Sequence, residues 1–188
     1  HDDIPKIGVG FHFEDLHQGM RFRTASRTLT EADLVNFCNM TWLTEELFTN
    51  TAHRGEMALQ ERVVPAALVY SFCEGLMLPM MQDTGLAFLH ADLDVKGPTR
   101  VGDTITVFCE VIEHRLTSRG DRGLVRTRNS VRDQDGREEL VYTPLRLRLQ
   151  RSRLGQWQGH RHPVRAPGRH RRRRRYQSRC RRGDEKDH

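Results

Sequence analysis

Residues 65–81 read PAALVYSFCEGLMLPMM, and this almost wholly apolar segment decides the fold of the chain. Pro65 suits the first position of a helix, where a missing N–H costs nothing, and Pro79 predicts the point at which a regular helix ends. Glu74 is the single charge of the segment. A helix that is apolar on every face is surrounded by protein or spans a membrane. Because the two prolines are closer together than the ~20 residues that a span requires, we expect a buried helix and no membrane span.

Four segments with the pattern of β-strands follow this helix. They cover residues 86–95, 104–116, 124–132 and 139–149. Apolar and polar side chains alternate along them, which is typical of half-buried strands. In the last segment, Leu145, Leu147 and Leu149 alternate with Arg146 and Arg148. Long antiparallel strands after one apolar helix predict an α+β protein with a hot-dog fold, in which a curved antiparallel sheet wraps around one long buried helix.

The region before the buried helix is less regular. After a short strand, Thr30 can cap a helix in which Asp33 takes the place of the usual glutamate of a capping box. Apolar residues at helical spacing continue to about Met40. Residues 41–61 are polar and show no clean period, so we expect an irregular segment with a short helical piece.

Charge divides the chain into two parts. Residues 1–150 carry 22 acidic and 17 basic side chains, a net charge of −5, whereas residues 151–188 carry 3 and 14, a net charge of +11. We expect a loose lead-in at residues 1–12 and one domain at residues 13–150. The tail at 151–188 has too few apolar residues to offset its ordering entropy, so we expect it to be disordered.

The tail contains five consecutive arginines. They are Arg171, Arg172, Arg173, Arg174 and Arg175. Such a run could bind the phosphates of a nucleic acid without sequence preference. However, Tyr176 is the one aromatic residue near the run, so stacking on bases is not indicated. We favour the alternative that the tail is a solvated extension with no nucleic-acid partner.

The cysteines predict the compartment. Cys38, Cys73, Cys109 and Cys180 have neither the spacing of a disulfide framework nor that of a metal site, and the first three lie in apolar patterns. Residues 1–20 lack the basic start and apolar run of a secretory signal. We therefore expect reduced, buried thiols in a cytoplasmic protein. The histidines are scattered without ligand spacing, so neither a metal nor a cofactor is expected.

Five stretches between residues 11 and 150 share their order and spacing with a known family. They are Phe13-Glu14-Asp15-Leu16 with Gly19, residues 27–33 (RTLTEAD) with Phe37, residues 62–68 (RVVPAAL), residues 101–104 (VGDT) and residues 134–136 (QDG). No single stretch is specific. Together, the chain resembles the MaoC-like dehydratase family, the hot-dog hydratases related to (R)-specific enoyl-CoA hydratase.

The resemblance implies a reaction and the groups that perform it. Members of the family add water to acyl thioesters of coenzyme A or acyl carrier protein, or remove it. An Asp and a His five residues apart, after the first helix, serve as acid and base, and backbone N–H groups at the start of the buried helix bind the thioester oxygen. Pro65, Ala66 and Ala67 stand at this helix start, where free N–H groups and small side chains suit a carbonyl.

The acid–base pair is the point at which this sequence departs from the family. Aligning the first helix on the family pattern places Trp42 at the Gly, Leu43 at the Asp and Phe48 at the His. Neither Leu43 nor Phe48 can exchange a proton. Glu46 and His53 in the same segment are the candidate replacements. The alternative interpretation makes Glu46 a solvated loop carboxylate and His53 a surface histidine.

Two other ionisable residues have simpler interpretations. Glu74 is costly inside an apolar helix unless it has a partner, and Arg62 or Arg100 could pair with it. His90 falls in a predicted strand, where a satisfied strand histidine is the preferred interpretation.

Two functions are consistent with these observations. The first is an acyl-thioester hydratase or dehydratase with displaced catalytic residues. The second is a non-catalytic hot-dog module that binds an acyl thioester or partners an active subunit. We favour the enzyme narrowly, because the register of a loop is easily misaligned. In both cases the resemblance implies a homodimer with acyl sites at the interface, which would also cover an unpaired sheet edge.

Overall fold

The computed structural model describes residues 7–52, 59 and 61–151. Within these ranges a short 3-10 turn at Phe13–Asp15 precedes three helices and five strands. They are α1 (Glu31–Thr41), α2 (Glu46–Thr49), α3 (Ala66–Met81), β1 (Arg21–Thr28), β2 (Gly85–Val95), β3 (Thr104–Leu116), β4 (Gly123–Arg132) and β5 (Glu138–Arg148). Each predicted element is present, with small differences at the ends.

The five strands form one antiparallel sheet in the order β1-β3-β4-β5-β2. Register shifts occur in all four neighbouring pairs, and such irregularities bend a sheet. The long helix α3 lies against one face of this sheet. The predicted α+β hot-dog fold is therefore confirmed.

The core lies between α3 and the inner face of the sheet. The helix contributes a buried stripe made of Leu68, Val69, Cys73, Met77 and Met80. Alternate residues of β3 face this stripe, namely Ile105, Val107, Cys109 and Val111. Burying one such aliphatic side chain contributes about 1.5–3 kcal/mol. The contact between α3 and the sheet therefore supplies most of the apolar burial of the domain.

The helix α3 differs from the prediction in two respects. The sheet covers one face of the helix, whereas Ser71 and Leu78 on the opposite face are exposed, Leu78 to 53%. Pro79 does not end the helix, which continues to Met81. A proline removes the hydrogen bond to the carbonyl four residues earlier. That carbonyl belongs to Gly75, which is exposed, so water can bind it and the last turn persists.

The arginine face of β5 packs against α3, and its leucine face points outward. Arg146 is 5% exposed and Arg148 is 1% exposed, whereas Leu145 and Leu147 are half-buried. Arg146 donates two hydrogen bonds, of 2.5 and 2.7 Å, to the carboxylate of Glu74 on α3. An alternating pattern shows that a strand has two faces, but the acceptors on α3 decide which face turns inward.

Residues 7–12 are the described part of the segment expected to be a loose lead-in, and two of them are hydrogen-bonded to the C-terminal end of α3. The N–H of Gly10 donates to the carbonyl of Gln82 at 2.8 Å, and the N–H of Phe11 donates to that of Met80 at 3.0 Å. Arg148 donates to the carbonyls of both Phe11 and Met80, at 2.6 and 2.7 Å. The C-terminal end of α3 is therefore closed by protein.

The three cysteines in the described residues are buried free thiols, as predicted. They are Cys38, Cys73 and Cys109, and burial raises the pKa of Cys109 to about 12. Cys180 and the arginine run lie outside the described residues. In the ranges that the structure covers, none of the helices is both long and apolar enough to cross a membrane.

Candidate active site

The N-terminal end of α3 has no side-chain cap. Pro65 is the N-cap residue, and its carbonyl accepts from the N–H groups of Leu68 and Val69. Within the described part of the chain, the N–H groups of Ala66 and Ala67 donate no hydrogen bond. The first N–H groups of a helix have no intrahelical partner and lie at its positive end. Two donors are therefore available to an oxygen atom of a ligand.

A cavity of about 170 Å³ lies beside this end of α3. Its apolar wall includes Phe48, Pro65, Ala66, Val69 and Leu140. Among the described residues of the wall, the polar side chains are Thr99 and Glu139. Electrostatic interactions are stronger in such an apolar site than in water, so a few polar groups can dominate its chemistry.

The segment between α1 and α2 carries the residues that the sequence analysis aligned with the Gly, Asp and His of the family. Trp42 ends α1 with φ of +61°, the left-handed conformation that favours glycine, and the family has Gly at this position. The Trp42 side chain is 86% exposed. Phe48, aligned with the family histidine, lines the cavity. Arg62 holds it there by donating to its carbonyl at 3.2 Å.

The candidate replacements for the acid–base pair have different outcomes. Glu46 is the first residue of α2; it is exposed, and its carboxylate accepts a hydrogen bond of 3.3 Å from Asn50. Glu46 is not among the described residues that line the cavity. Leu43 is 38% exposed and is also absent from that wall. His53 lies outside the described residues.

Glu139 is the ionisable residue of the cavity wall that the sequence did not indicate. It is 4% exposed, and within the described chain its Oε2 has no hydrogen-bond partner. Burial raises the pKa of Glu139, and the neighbouring carboxylates of Asp133 and Asp103 raise it further. Arg137 and Arg100 act in the opposite direction. The side chain therefore keeps its proton to a higher pH than an ordinary glutamate does.

The sequence contains a signal that could have indicated a buried carboxylate at the start of β5. Glu138 and Glu139 are adjacent at the start of β5, and adjacent strand residues face opposite sides of a sheet. One of the two carboxylates is therefore expected to face the inner side of the sheet. The alternation cannot tell which, because a bulge at this point changes the phase of the strand.

Glu74 pairs with Arg146, and neither of the two arginines proposed from the sequence is its partner. Arg62 binds the carboxylate of Glu31, and Arg100 binds that of Glu61. The alternation of leucine and arginine along β5 does not indicate which face turns inward, so it did not mark Arg146 as a partner for Glu74. This ion pair lies on the middle of α3 and is absent from the cavity wall at its N-terminal end.

Two histidines on strands have structural contacts. His90 lies in β2 with its Nε2 3.4 Å from Asp92, and its side chain is 55% exposed, in agreement with the prediction of a satisfied strand histidine. His114 stacks on Phe13, with 3.9 Å between ring centroids. In the ranges that the structure covers, no group of three His, Cys, Asp or Glu side chains could hold a metal ion.

Comparisons with known proteins show what this chain is similar to. No protein-family model matches the sequence. The (R)-specific enoyl-CoA hydratase of Rhodospirillum rubrum is 24% identical over 95 residues, which cover 50% of this chain and 65% of the hydratase.

Solved structures show the same architecture. The MaoC-like dehydratase from Rhodospirillum rubrum is 21% identical with a TM-score of 0.67, and the alignment covers 76% of this chain and 99% of the dehydratase. A Mycobacterium tuberculosis protein with a double hot-dog fold is 19% identical with a TM-score of 0.60; the alignment covers 78% of this chain and 46% of that protein. The chain therefore has the hot-dog fold of the MaoC-like dehydratases and R-hydratases, and the resemblance to that family is confirmed.

Proposed function

We propose that this protein is a hydratase or dehydratase of acyl thioesters. The observation that carries the proposal is the uncapped end of α3, where Pro65 and Ala66 line an apolar cavity and Ala67, which is not in its wall, follows with a second free N–H group. The thioester oxygen becomes negative when water adds to the adjacent double bond, and donors fixed in an apolar site stabilise that charge strongly. The similarity to an enoyl-CoA hydratase and to a dehydratase supports this reaction class.

In this proposal the N–H groups of Ala66 and Ala67 bind the thioester oxygen, and Pro65 sets the start of the helix. Coenzyme A or an acyl carrier protein carries the acyl group. Glu46 and His53 remain the candidates that the sequence indicated for acid and base. The buried free thiols support a cytoplasmic location, which belongs to the same proposal.

A second candidate function is non-catalytic. Phe48 favours it, because an apolar ring lines the cavity at the position aligned with the family histidine. A site of this kind would bind an acyl thioester without transferring a proton, or would belong to a silent subunit beside an active one.

Crotonyl-CoA distinguishes the two functions. Hydration removes the enoyl absorbance, so turnover is followed directly, and calorimetry measures binding with the same protein. The enzyme proposal predicts turnover, for which typical kcat values are about 1–1,000 s⁻¹. Binding without turnover would establish the non-catalytic module, and the absence of both would contradict both functions. Glu46→Gln or His53→Ala would have to lower turnover about 100-fold to assign an acid–base role to either residue.

We propose further that a second copy of the chain pairs along β2. Within the described sheet β2 is an outer strand bonded to β5. Its Phe88, Leu93 and Val95 side chains are 45–51% exposed. An exposed apolar edge strand is a template for pairing with another chain. The similarity to a protein that has two hot-dog folds in one chain supports a homodimer.

Light scattering tests this interface. Leu93→Lys places a charge on β2 and is expected to weaken the dimer by at least about tenfold, which corresponds to 1.4 kcal/mol. Leu116→Lys is the matched control, because Leu116 is also 45% exposed but lies on β3, which β4 and β5 separate from β2. Equal effects of the two substitutions would contradict pairing along β2.

A further inference from the structure

The carboxyl group of Glu139 is the feature of the cavity that the proposed roles leave unexplained. It is more than nine-tenths buried, and within the described chain its Oε2 has no hydrogen-bond partner. Buried polar atoms almost always have a partner, so an exception needs an explanation. Burial without a partner keeps a carboxyl reactive towards a molecule that enters the cavity.

The neighbouring buried carboxylates show what a structural role looks like. Asp103 is 6% exposed and accepts hydrogen bonds from a backbone N–H at 2.7 Å and from Gln134 at 3.0 Å. Asp133 is 6% exposed and accepts from Arg137 and from two backbone N–H groups. Both stabilise turns. Among the residues that the structure describes, none gives the Glu139 carboxyl a comparable set of hydrogen bonds, so holding a turn together does not account for it.

A bulge in β5 turns Glu139 into the cavity. The β4 partners of Glu138 and Leu140 are adjacent residues, which leaves Glu139 unpaired between them. Glu138 turns to the outer face of the sheet, where its carboxylate accepts from Ser130 at 2.5 Å. Leu140 turns to the core. Bulges of this kind commonly redirect a side chain next to an active site.

The backbone around Glu139 is fixed although its carboxyl is free. Its carbonyl accepts from the N–H groups of Lys96 and Gly97, at 2.8 and 3.2 Å. A Cβ atom on Gly97 would lie 3.3 Å from Oε2 of Glu139, so glycine leaves the carboxyl its space. The loop after β2 thus anchors the backbone of Glu139 and leaves room for its carboxyl group.

We propose that Glu139 is the acid–base residue of the cavity, in place of the Asp–His pair of the family. The inference rests on the proposed hydratase function. It replaces two groups by one, because a single carboxyl that takes a proton and returns it on the same side of the substrate needs no second residue.

The proposed step balances its atoms and electrons. The Glu139 carboxylate takes a proton from water, and the water oxygen bonds to C3 of the enoyl thioester. The electron pair of the C2=C3 bond moves towards the thioester oxygen, which accepts hydrogen bonds from the N–H groups of Ala66 and Ala67. The Glu139 carboxylic acid then returns its proton to C2. Dehydration follows the same path in reverse.

The electrostatic surroundings suit this role. Burial raises the pKa of Glu139, as do Asp133 and Asp103, while Arg137 and Arg100 lower it. A raised pKa makes the carboxylate a stronger base and increases the fraction of the protonated acid at a given pH. Turnover is therefore expected to fall as the pH decreases through that raised pKa. This limb of the pH–rate profile should be absent from a variant without the Glu139 carboxyl.

Glu139→Gln tests the inference in the crotonyl-CoA assay. We expect kcat to fall by at least about 100-fold, the usual contribution of one acid–base group. The Kd of crotonyl-CoA should change by less than about threefold, because Gln keeps the volume of the side chain. Glu138→Gln is the matched control: the adjacent carboxylate faces the outer side of the sheet, so turnover should stay within about twofold of the wild type.

Two further variants keep the test decisive if Glu139→Gln fails to fold. Glu139→Asp withdraws the carboxyl by one methylene and should lower kcat about tenfold, and Gly97→Ala should lower kcat by displacing the carboxyl without removing it. Wild-type turnover in Glu139→Gln, or in both of these variants, would overturn the inference and leave the hydratase function in place. A wild-type protein without turnover would overturn both.

Discussion

The two ends of α3 are treated in opposite ways by the rest of the chain. At the C-terminal end, the carbonyl of Met80 accepts from the N–H of Phe11 and from the buried guanidinium of Arg148. The N–H of Gly10 donates to the carbonyl of Gln82, the residue that follows the helix. At the N-terminal end no side chain caps the helix, and a cavity of about 170 Å³ lies beside it.

The difference shows where stability and function are placed. Unsatisfied carbonyls at a buried helix end destabilise a protein, so the closed end depends on the donors of Gly10, Phe11 and Arg148. An uncapped N-terminal end gives up the ~1 kcal/mol that a Ser, Thr or Asp cap would contribute. It leaves positively polarised N–H groups for a ligand instead. The comparison makes four predictions.

The largest effect is expected at the closed end. Arg148→Ala should lower the free energy of unfolding by about 3 kcal/mol, because it opens a cavity and removes hydrogen bonds to two carbonyls. Urea denaturation measures the change. Arg148→Met fills the volume without the donors and should lose about half as much. A fully stable Arg148→Met protein would show that the closure of this end contributes nothing.

At the open end, a larger side chain should change binding more than stability. Ala66→Leu places a branched side chain in the cavity and should weaken crotonyl-CoA binding by at least about tenfold, while the free energy of unfolding changes by less than about 1 kcal/mol. Ser71→Leu is the control, because Ser71 lies on the same helix at an exposed position outside the cavity wall. Equal binding by the two variants, measured by calorimetry, would argue against a ligand at this end.

The pH dependence of stability sharpens the comparison further. The pKa of Glu139 is raised above its ordinary value of 4.5, mainly by burial, so the folded protein holds this proton more tightly than the unfolded chain. The stability associated with that proton is present below about pH 4.5 and is lost as the pH rises through the folded pKa.

Glu139→Gln removes this loss. The variant should gain stability relative to the wild type as the pH rises above 4.5, and urea denaturation at several pH values measures the difference. A variant that is more stable but inactive is expected, because a buried acid–base group without a partner lowers the stability of the wild type. A constant difference across the pH range would show that Glu139 titrates like an exposed glutamate.

The smallest effect is expected where α1 ends, before the segment that carries Phe48 to the cavity. Trp42→Gly should raise the free energy of unfolding by about 0.5–1 kcal/mol, because glycine adopts the left-handed conformation without strain. Met40→Gly, at an exposed position of the same helix, should lower it by about 1 kcal/mol. Thermal unfolding distinguishes the opposite signs.

Local patterns in the sequence predicted most of the architecture. The capping box of Thr30 and Asp33 and the bounds of β3 need only neighbouring residues, and both were correct. Pro79 was assigned to the end of α3 because a proline is unfavourable in any helix interior. It is tolerated because exposure lets water replace the lost partner of Gly75, which depends on what covers that face.

The candidate site was predicted in part. The sequence placed Pro65 and Ala66 at an uncapped helix start and Phe48 at the position of the family histidine, and all three line the cavity. It did not indicate Glu139, because the approach of β5 to the start of α3 joins residues more than 70 positions apart. Glu46 lies in the segment aligned with the acid–base pair of the family, but it is exposed in this structure.

The sequence by itself determined the apolar helix and the order of the strands along the chain, because each is specified by residues that are close together in the chain. Tertiary structure alone decided that Arg146 and Arg148 turn inward and that Glu139 reaches the cavity. The physical reason is that the partner, or the absence of a partner, for a buried charge is supplied by distant elements. No local pattern contains that information.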